Sequence, residues 1–187
     1  SLFVRQRQMC IRDSFKLERA IACDLMLHAW MLTQSGIPVL YSGDEIGQLN
    51  DYGYHDDPEK WDDSRYIHRG NFSWELAELR HDTTTRQGEQ FEGLRRLEQL
   101  RAGEQAFDAQ ADVWTFDTGS NHVLGVGRWY QGHKLIAFFN FSPEFVHVSS
   151  QEKGPYEELM YGAHRDDLND VELYPYGFAW FLHTEDI

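Results

Sequence analysis

Two stretches concentrate residue types that could do chemistry. The first, GIPVLYSGDEIGQLND from Gly36 to Asp51, runs from an apolar segment through a glycine into adjacent carboxylates, Asp44 and Glu45. Neighbours in an extended chain point to opposite faces, so the two cannot be the facing acid and nucleophile of a glycoside hydrolase, whose carboxyls flank one bond about 5–9 Å apart. Either acid can still line a site at the carboxyl end of a strand, where barrel and open α/β proteins place their chemistry. On these residues alone, a binding role and a loop-shaping role stay equally open.

The second stretch, DDPEKWDDSRYIHR, places Asp62, Asp63 and Arg65 close enough for an ion pair. A guanidinium held by a carboxylate presents a rigid fork to hydroxyls or acids. A solvated acidic loop is the plainer alternative. Calcium is disfavoured, because the acids lack the spaced oxygen ligands and closing Glu of a calcium loop. His55, His68 and His81 lack the spacing of a metal site, and His28 reads as a core histidine. Ser14, Ser42 and Ser64 have no nucleophile-elbow context.

These residues sit in a chain of 187 residues with a formal charge of -14, 41% hydrophobic and 14% aromatic. That composition is globular, and the length suffices for one or two domains with a real core. The acidity argues against nucleic-acid and anionic-membrane binding, and no apolar run approaches a membrane span. Cys10 and Cys23 make neither a disulfide framework nor a metal spacing, so both read as free thiols.

The elements that must position the two stretches follow from periodicity. From Phe15 to about Gln34, Leu17, Ile21, Leu25, His28 and Leu32 recur at helical steps. Gly36 ends that helix, and IPVLY reads as a strand covered on both faces. A long polar segment follows, whose aromatics (Tyr52, Tyr54, Trp61, Tyr66 and Trp74) argue against simple disorder. Phe91, Leu94, Leu97 and Leu100 then mark an amphipathic helix over 87–101. Beyond Gly103, DVWTFDT, HVLGVGRWY, KLIAFFNFS, FVHVSS, YEELMY and GFAWFLH are short runs separated by turn signals, the pattern of an antiparallel β-sandwich.

The Gly36–Asp51 stretch resembles the segment after the last barrel strand of the α-amylase superfamily, glycoside hydrolase family 13, with Gly36, Pro38, Tyr41, Gly43 and Glu45 matching its pattern. GDEIGQLND, then DDSRYIHR and later FNFS, is similar to the amylosucrases within it. The resemblance implies an α/β part followed by an all-β part: the end of a (β/α)8 TIM barrel (helix 7, strand 8, its long loop and helix 8) over 15–103, then a β-sandwich C-domain over 104–187. Residues 1–14, with Arg5, Arg7 and Arg12 against one acid, read as a foreign, adapter-derived leader on a chain truncated upstream.

What the resemblance implies for function is a retaining glucosyl transfer from sucrose to an α-glucan, without cofactor or metal. Arg65 would hold the sugar, paired in amylosucrases with an aspartate from early in the chain, while Asp44, Glu45, Asp62 and Asp63 shape the site. The nucleophile and acid/base are expected upstream of this sequence, and the cytoplasm is the expected compartment. An α-glucosidase, sucrose hydrolase or sucrose phosphorylase remains the alternative within the superfamily. Outside it stands a noncatalytic carbohydrate-binding or structural β-sandwich, although Trp114, Phe138, Phe139, Phe141, Trp180 and Phe181 fall in strand runs and read as core.

Overall fold

The structure, a computed structural model, describes the backbone over residues 2–184 and side chains over 16–183. The side chains of the expected leader, Cys10 among them, lie outside the described residues. The chain divides into two compact units, one of residues 1–38 with 94–187 and the other of residues 39–93. This division differs from the boundary near residue 103 that the change in patterning suggests.

In the first unit, helix α1 (Leu2–Leu32) and the later part of helix α3 (Arg86–Gly103) accompany eight strands. These are β1 (Asp112–Phe116), β2 (Val123–Tyr130), β3 (His133–Asn140), β4 (Val146–Val148), β5 (Lys153–Glu158), β6 (His164–Asp167), β7 (Val171–Leu173) and β8 (Phe178–Thr184). Six of them form one antiparallel sheet in the order β1-β2-β3-β8-β5-β6, while β4 and β7 pair as a separate two-stranded ladder.

Strand β3 shows why LIAFF is continuously apolar. Successive side chains on a strand alternate between faces. Leu135, Ala137 and Phe139 pack with Met26, Ala29 and Leu32 of α1, Leu97 of α3, and Trp180 of β8. Ile136 and Phe138 face the other way, into a core shared with Val148, Val171 and Leu173 of the small ladder. A strand buried on both faces has no polar alternation to show. The expected sandwich is thus an unequal one, six strands against two, with helices over the free face of the larger sheet.

Several expectations are corrected in detail. Ile37–Tyr41 forms no strand: Ile37 is 90% and Val39 77% exposed, and among the described residues no ladder includes them. The physical reason is that a central strand exists only through neighbours on both sides. No strand forms between Leu32 and Asp112, so the barrel expected over 15–103 is represented only by helices and turns. On α1 the buried stripe runs through Ile21, Met26, Ala29 and Leu32, so that of the expected positions Ile21 and Leu32 are buried, Leu25 and His28 are half-buried, and Leu17 is exposed. Strands β6 and β7 were not signalled by the sequence. HRDD is exposed throughout, and VEL is too short to show a period.

In the second unit, three 3-10 turns, Asp44–Ile46, Tyr52–Asp56 and Ser64–His68, lead to the short helix α2 (Trp74–Glu78). This segment is ordered by side chains that bond the local backbone. Asp51, Asp63 and Ser73 each accept from a backbone N–H at the start of the following turn or helix.

Candidate functional site

The acids of the first stretch turn back on their own chain. Asp44 Oδ2 accepts from the Tyr41 N–H at 3.2 Å and Glu45 Oε2 from the Gly43 N–H at 2.7 Å. Gly43 has φ 106°, a left-handed conformation suited to glycine, and the turn closes with Gln48 N–H donating to the Gly43 carbonyl at 2.9 Å. Asp44 and Glu45 therefore fix the shape of this turn.

The second stretch is joined to the residues just after the first. Asp51 N–H donates to the Ile67 carbonyl at 2.8 Å, and Gln48 Nε2 reaches the carbonyls of Gly70 and Asn71 at 3.4 Å. His68 Nδ1 lies 3.0 Å from Asn50 Oδ1. These contacts hold 48–51 and 67–71 side by side, which sequence spacing alone does not reveal.

Asp63 and Arg65 make the most organised charged pair of this unit. Asp63 Oδ1 accepts the Arg65 N–H at 3.0 Å, capping the turn. Arg65 Nε donates to both carboxylate oxygens, at 2.8 and 3.0 Å, and Nη2 reaches Oδ2 at 2.6 Å. The Arg65 hydrogen bonds hold the Asp63 carboxyl well down, at about 2, and the same contact raises the guanidinium. The Arg65 side chain remains 71% exposed, so its fork is oriented by Asp63 yet still open to a ligand.

An open depression is lined by Glu59, Asp62, Asp63, Ser64, Arg65 and Tyr66. It brings together three residues expected at the site, Asp62, Asp63 and Arg65, and not Asp44 or Glu45. Its walls present carboxylate acceptors, a guanidinium donor and a ring, a set suited to a hydroxyl-rich ligand. A second, smaller hollow of about 90 Å³ is lined by Asp51, Gly53, Tyr54, Asp57, Lys60, Tyr66, Arg69 and Asn71. Lys60 is paired with Asp57 at 2.8 Å, while Lys60 and Arg69 both lie over the Tyr66 ring. Tyr66, which lines both hollows, was missed as a site residue. An aromatic directly after the DDSR run is the signal that pointed to it.

The remaining candidates have local partners. His28 Nδ1 is 2.9 Å from the Asp24 carbonyl, and His55 stacks on buried Tyr54. Burial pushes the free Cys23 thiol upward. Among the described residues no cluster of His, Cys, Asp and Glu is arranged to hold a metal, and no helix is long and apolar enough to cross a membrane. Phe138, Phe139, Trp180 and Phe181 are core, whereas Phe141 is 43% exposed.

No family model matches the chain. A curated relative, the glucosylglycerate phosphorylase of Escherichia coli K12, is 30% identical over 179 residues, which is 90% of this chain and 29% of the relative. The chain thus spans under a third of that protein's length. Among solved structures, the trehalulose synthase of Pseudomonas mesoacidophila superposes with a TM-score of 0.64 at 17% identity, over 86% of this chain and 38% of that one. A mutant isomaltulose synthase of Erwinia rhapontici bound to sucrose gives 0.65 at 16%, with the same coverages. The maltogenic amylase of S. marinus gives 0.58 at 18%, over 89% of this chain and 20% of its own. The mostly antiparallel sheet with its few helices matches the C-terminal domain of such neighbours. The chain is thus similar in sequence to a phosphorylase over less than a third of that protein, and shares its fold with the C-terminal part of a maltogenic amylase and two sugar synthases.

Proposed function

We propose that this chain is the C-terminal part of a retaining glucoside-active enzyme that takes a glucosyl unit from sucrose and passes it to an acceptor. The observation that carries the reading is the Asp63–Arg65 fork. It is a fixed, exposed donor set in an open polar depression, able to grip the hydroxyls of one sugar ring. Sucrose is the ligand of the isomaltulose synthase neighbour and of one trehalulose synthase structure, which favours it as donor. Asp44 and Glu45 shape the turn after Tyr41 rather than the depression itself, to which Asp62 adds a carboxylate.

In this reading the nucleophile and acid/base come from the longer protein that residues 15–103 continue. A carboxylate displaces fructose to form a β-glucosyl-enzyme, the protonated acid supplies the leaving oxygen with its proton, and the acceptor then displaces the carboxylate while giving its own proton back to that acid, now the base. An α-glucan chain is the first acceptor to test. Inorganic phosphate is the second, favoured by the match to a phosphorylase.

The test restores the upstream reading frame and supplies sucrose with either α-glucan or phosphate. Fructose release exceeding glucose, with polymer formed, establishes transfer to glucan. Glucose 1-phosphate formed only with phosphate establishes phosphorolysis. Arg65→Ala is expected to lower kcat/KM by about a hundredfold, the loss of two or so charge-assisted hydrogen bonds to substrate. No sucrose turnover, or an indifferent Arg65, overturns the assignment.

A further inference from the structure

The FNFS stretch organises a part of the surface to which the glucoside reading gives no role. Asn140, fully buried at the end of β3, donates from Nδ2 to the main-chain carbonyls of Glu144 and Tyr174, both at 2.8 Å. Its Oδ1 accepts from the Ser142 N–H at 3.0 Å and from the Ser142 hydroxyl at 2.8 Å. One buried amide thus ties the residue before Phe145 to Tyr174 itself. The two rings lie side by side, centroids 5.0 Å apart and planes inclined by 54°. They are 58% and 66% exposed, while the core beneath the ladder is filled by Val148, Val171 and Leu173. Exposed rings on a backbone already fixed lose little freedom when a partner covers them, and aromatics are favoured anchors of protein interfaces.

The charges around the rings select the occupant. Val146 pairs with Leu173 and His147 with Glu172, so strand alternation leaves His147 and Glu172 on the outward face. Glu172 is one same-face step from Tyr174, about 7 Å along the strand. His147 Nδ1 is 2.8 Å from Asp170 Oδ1, and its Nε2 is 3.5 Å from Glu172 Oε2. Among the described residues, these two acids are the charged side chains that the imidazole meets; Arg165 of β6 donates instead to the Asp170 main-chain carbonyl at 2.9 Å. Two carboxylates against one weakly basic imidazole leave this face negative or neutral, on a chain of charge -14.

An occupant that fits must bring positive charge together with a plane that stacks on rings. An arginine side chain has both, because its guanidinium lies flat on an aromatic face while its N–H edge meets a carboxylate. A lysine brings a compact, strongly hydrated charge without the plane. A second acidic copy of this chain, a nucleic acid and an anionic membrane are all repelled.

We propose that the outward face of the β4–β7 ladder docks an arginine-bearing segment of a partner protein, with the guanidinium over the Phe145 and Tyr174 rings and its N–H groups on Glu172 and Asp170. The arriving cation takes over carboxylates that His147 holds, so docking and the titration of His147 are coupled. The acidity of the chain steers such a segment toward it and makes the contact sensitive to salt. This surface stands apart from the sucrose reading and does not depend on it.

The test titrates the chain with an acetylated, amidated GRGRG peptide, with its lysine counterpart, and with a citrulline counterpart that keeps the shape and loses the charge. Calorimetry and the His147 ring resonances follow binding. Saturable binding of the arginine peptide is expected, about tenfold tighter than that of either counterpart, weakening as salt rises and moving the His147 titration downward. Tyr174→Ala and Glu172→Gln should each weaken it about five- to tenfold, and Tyr174→Phe by under about twofold. Circular dichroism confirms that these surface variants remain folded. Absence of saturable binding, equal binding of the citrulline or lysine peptide, or undiminished binding by the Phe145→Ala/Tyr174→Ala double variant overturns the proposal. So does self-association of the chain that the double variant abolishes, since a second copy is then the occupant.

Discussion

Arg128 Nη1 donates to the main-chain carbonyl of Thr33 at 2.6 Å, joining residues 95 apart in sequence. Its Nε and Nη2 donate to the carbonyls of Ala106 and Asp108, both at 2.8 Å. A fully buried guanidinium on β2 thus ties the end of α1 to the connection between α3 and β1. Arg101 adds bonds to the carbonyls of Leu32 and Gly36. Cations at a helix C-terminus meet its exposed carbonyls and the negative end of its dipole, which offsets the cost of burying charge.

Arg128→Met is therefore expected to lower stability by about 3 kcal/mol, because it leaves three carbonyls without their donor. Arg128→Lys should fall between, since one ammonium on a flexible stem cannot reproduce the planar fork. Urea unfolding of the chain checks both. Equal midpoints for all three proteins would show that the clamp contributes nothing.

The Asp63–Arg65 clasp predicts an acid-resistant turn. The Asp63 carboxyl is lowered from 3.8 to about 2, first by the Arg65 side chain and then by the Arg65 N–H. A depressed carboxyl favours the fold in its charged form. Its contribution is present above the unfolded value and is lost as pH falls through about 2. Carboxyl NMR titration should find Asp63 at the low end of the aspartates, with Arg65→Ala moving it upward part of the way because the backbone bond remains.

His147 titrates in the opposite sense. Asp170, and more weakly Glu172, raise it from the ordinary value of 6.5. The charged imidazole favours the fold, so its contribution is full below the unfolded value and disappears as pH rises through the raised one. Asp170→Asn should return the imidazole toward 6.5, and Glu172→Gln should move it less. The ring proton shifts report both.

Gly127 lies opposite Trp114 in the β1–β2 register, and a Cβ there would overlap the indole ring. Gly127→Ala is expected to cost about 1–3 kcal/mol through displacement of the ring. Adding Trp114→Val should recover part of that loss. Strict additivity of the two changes in thermal unfolding would rule out the close approach.

Elements whose signals are local are legible from the residues alone. The period of Leu94, Leu97 and Leu100 marks α3, and the turn residues between apolar runs mark six of the strands. Asp63 and Arg65 were legible as a pair because two residues of separation need no tertiary contact. The remaining features depend on partners distant in sequence. IPVLY has the composition of a buried strand, yet pairing is a property of two segments, and here it stays unpaired and exposed. Which face of α1 is buried was set by the sheet beneath it, which chose Met26 and Ala29 over Leu17. The Phe145–Tyr174 pair arises because register brings together residues 29 positions apart, and no local period announces a register.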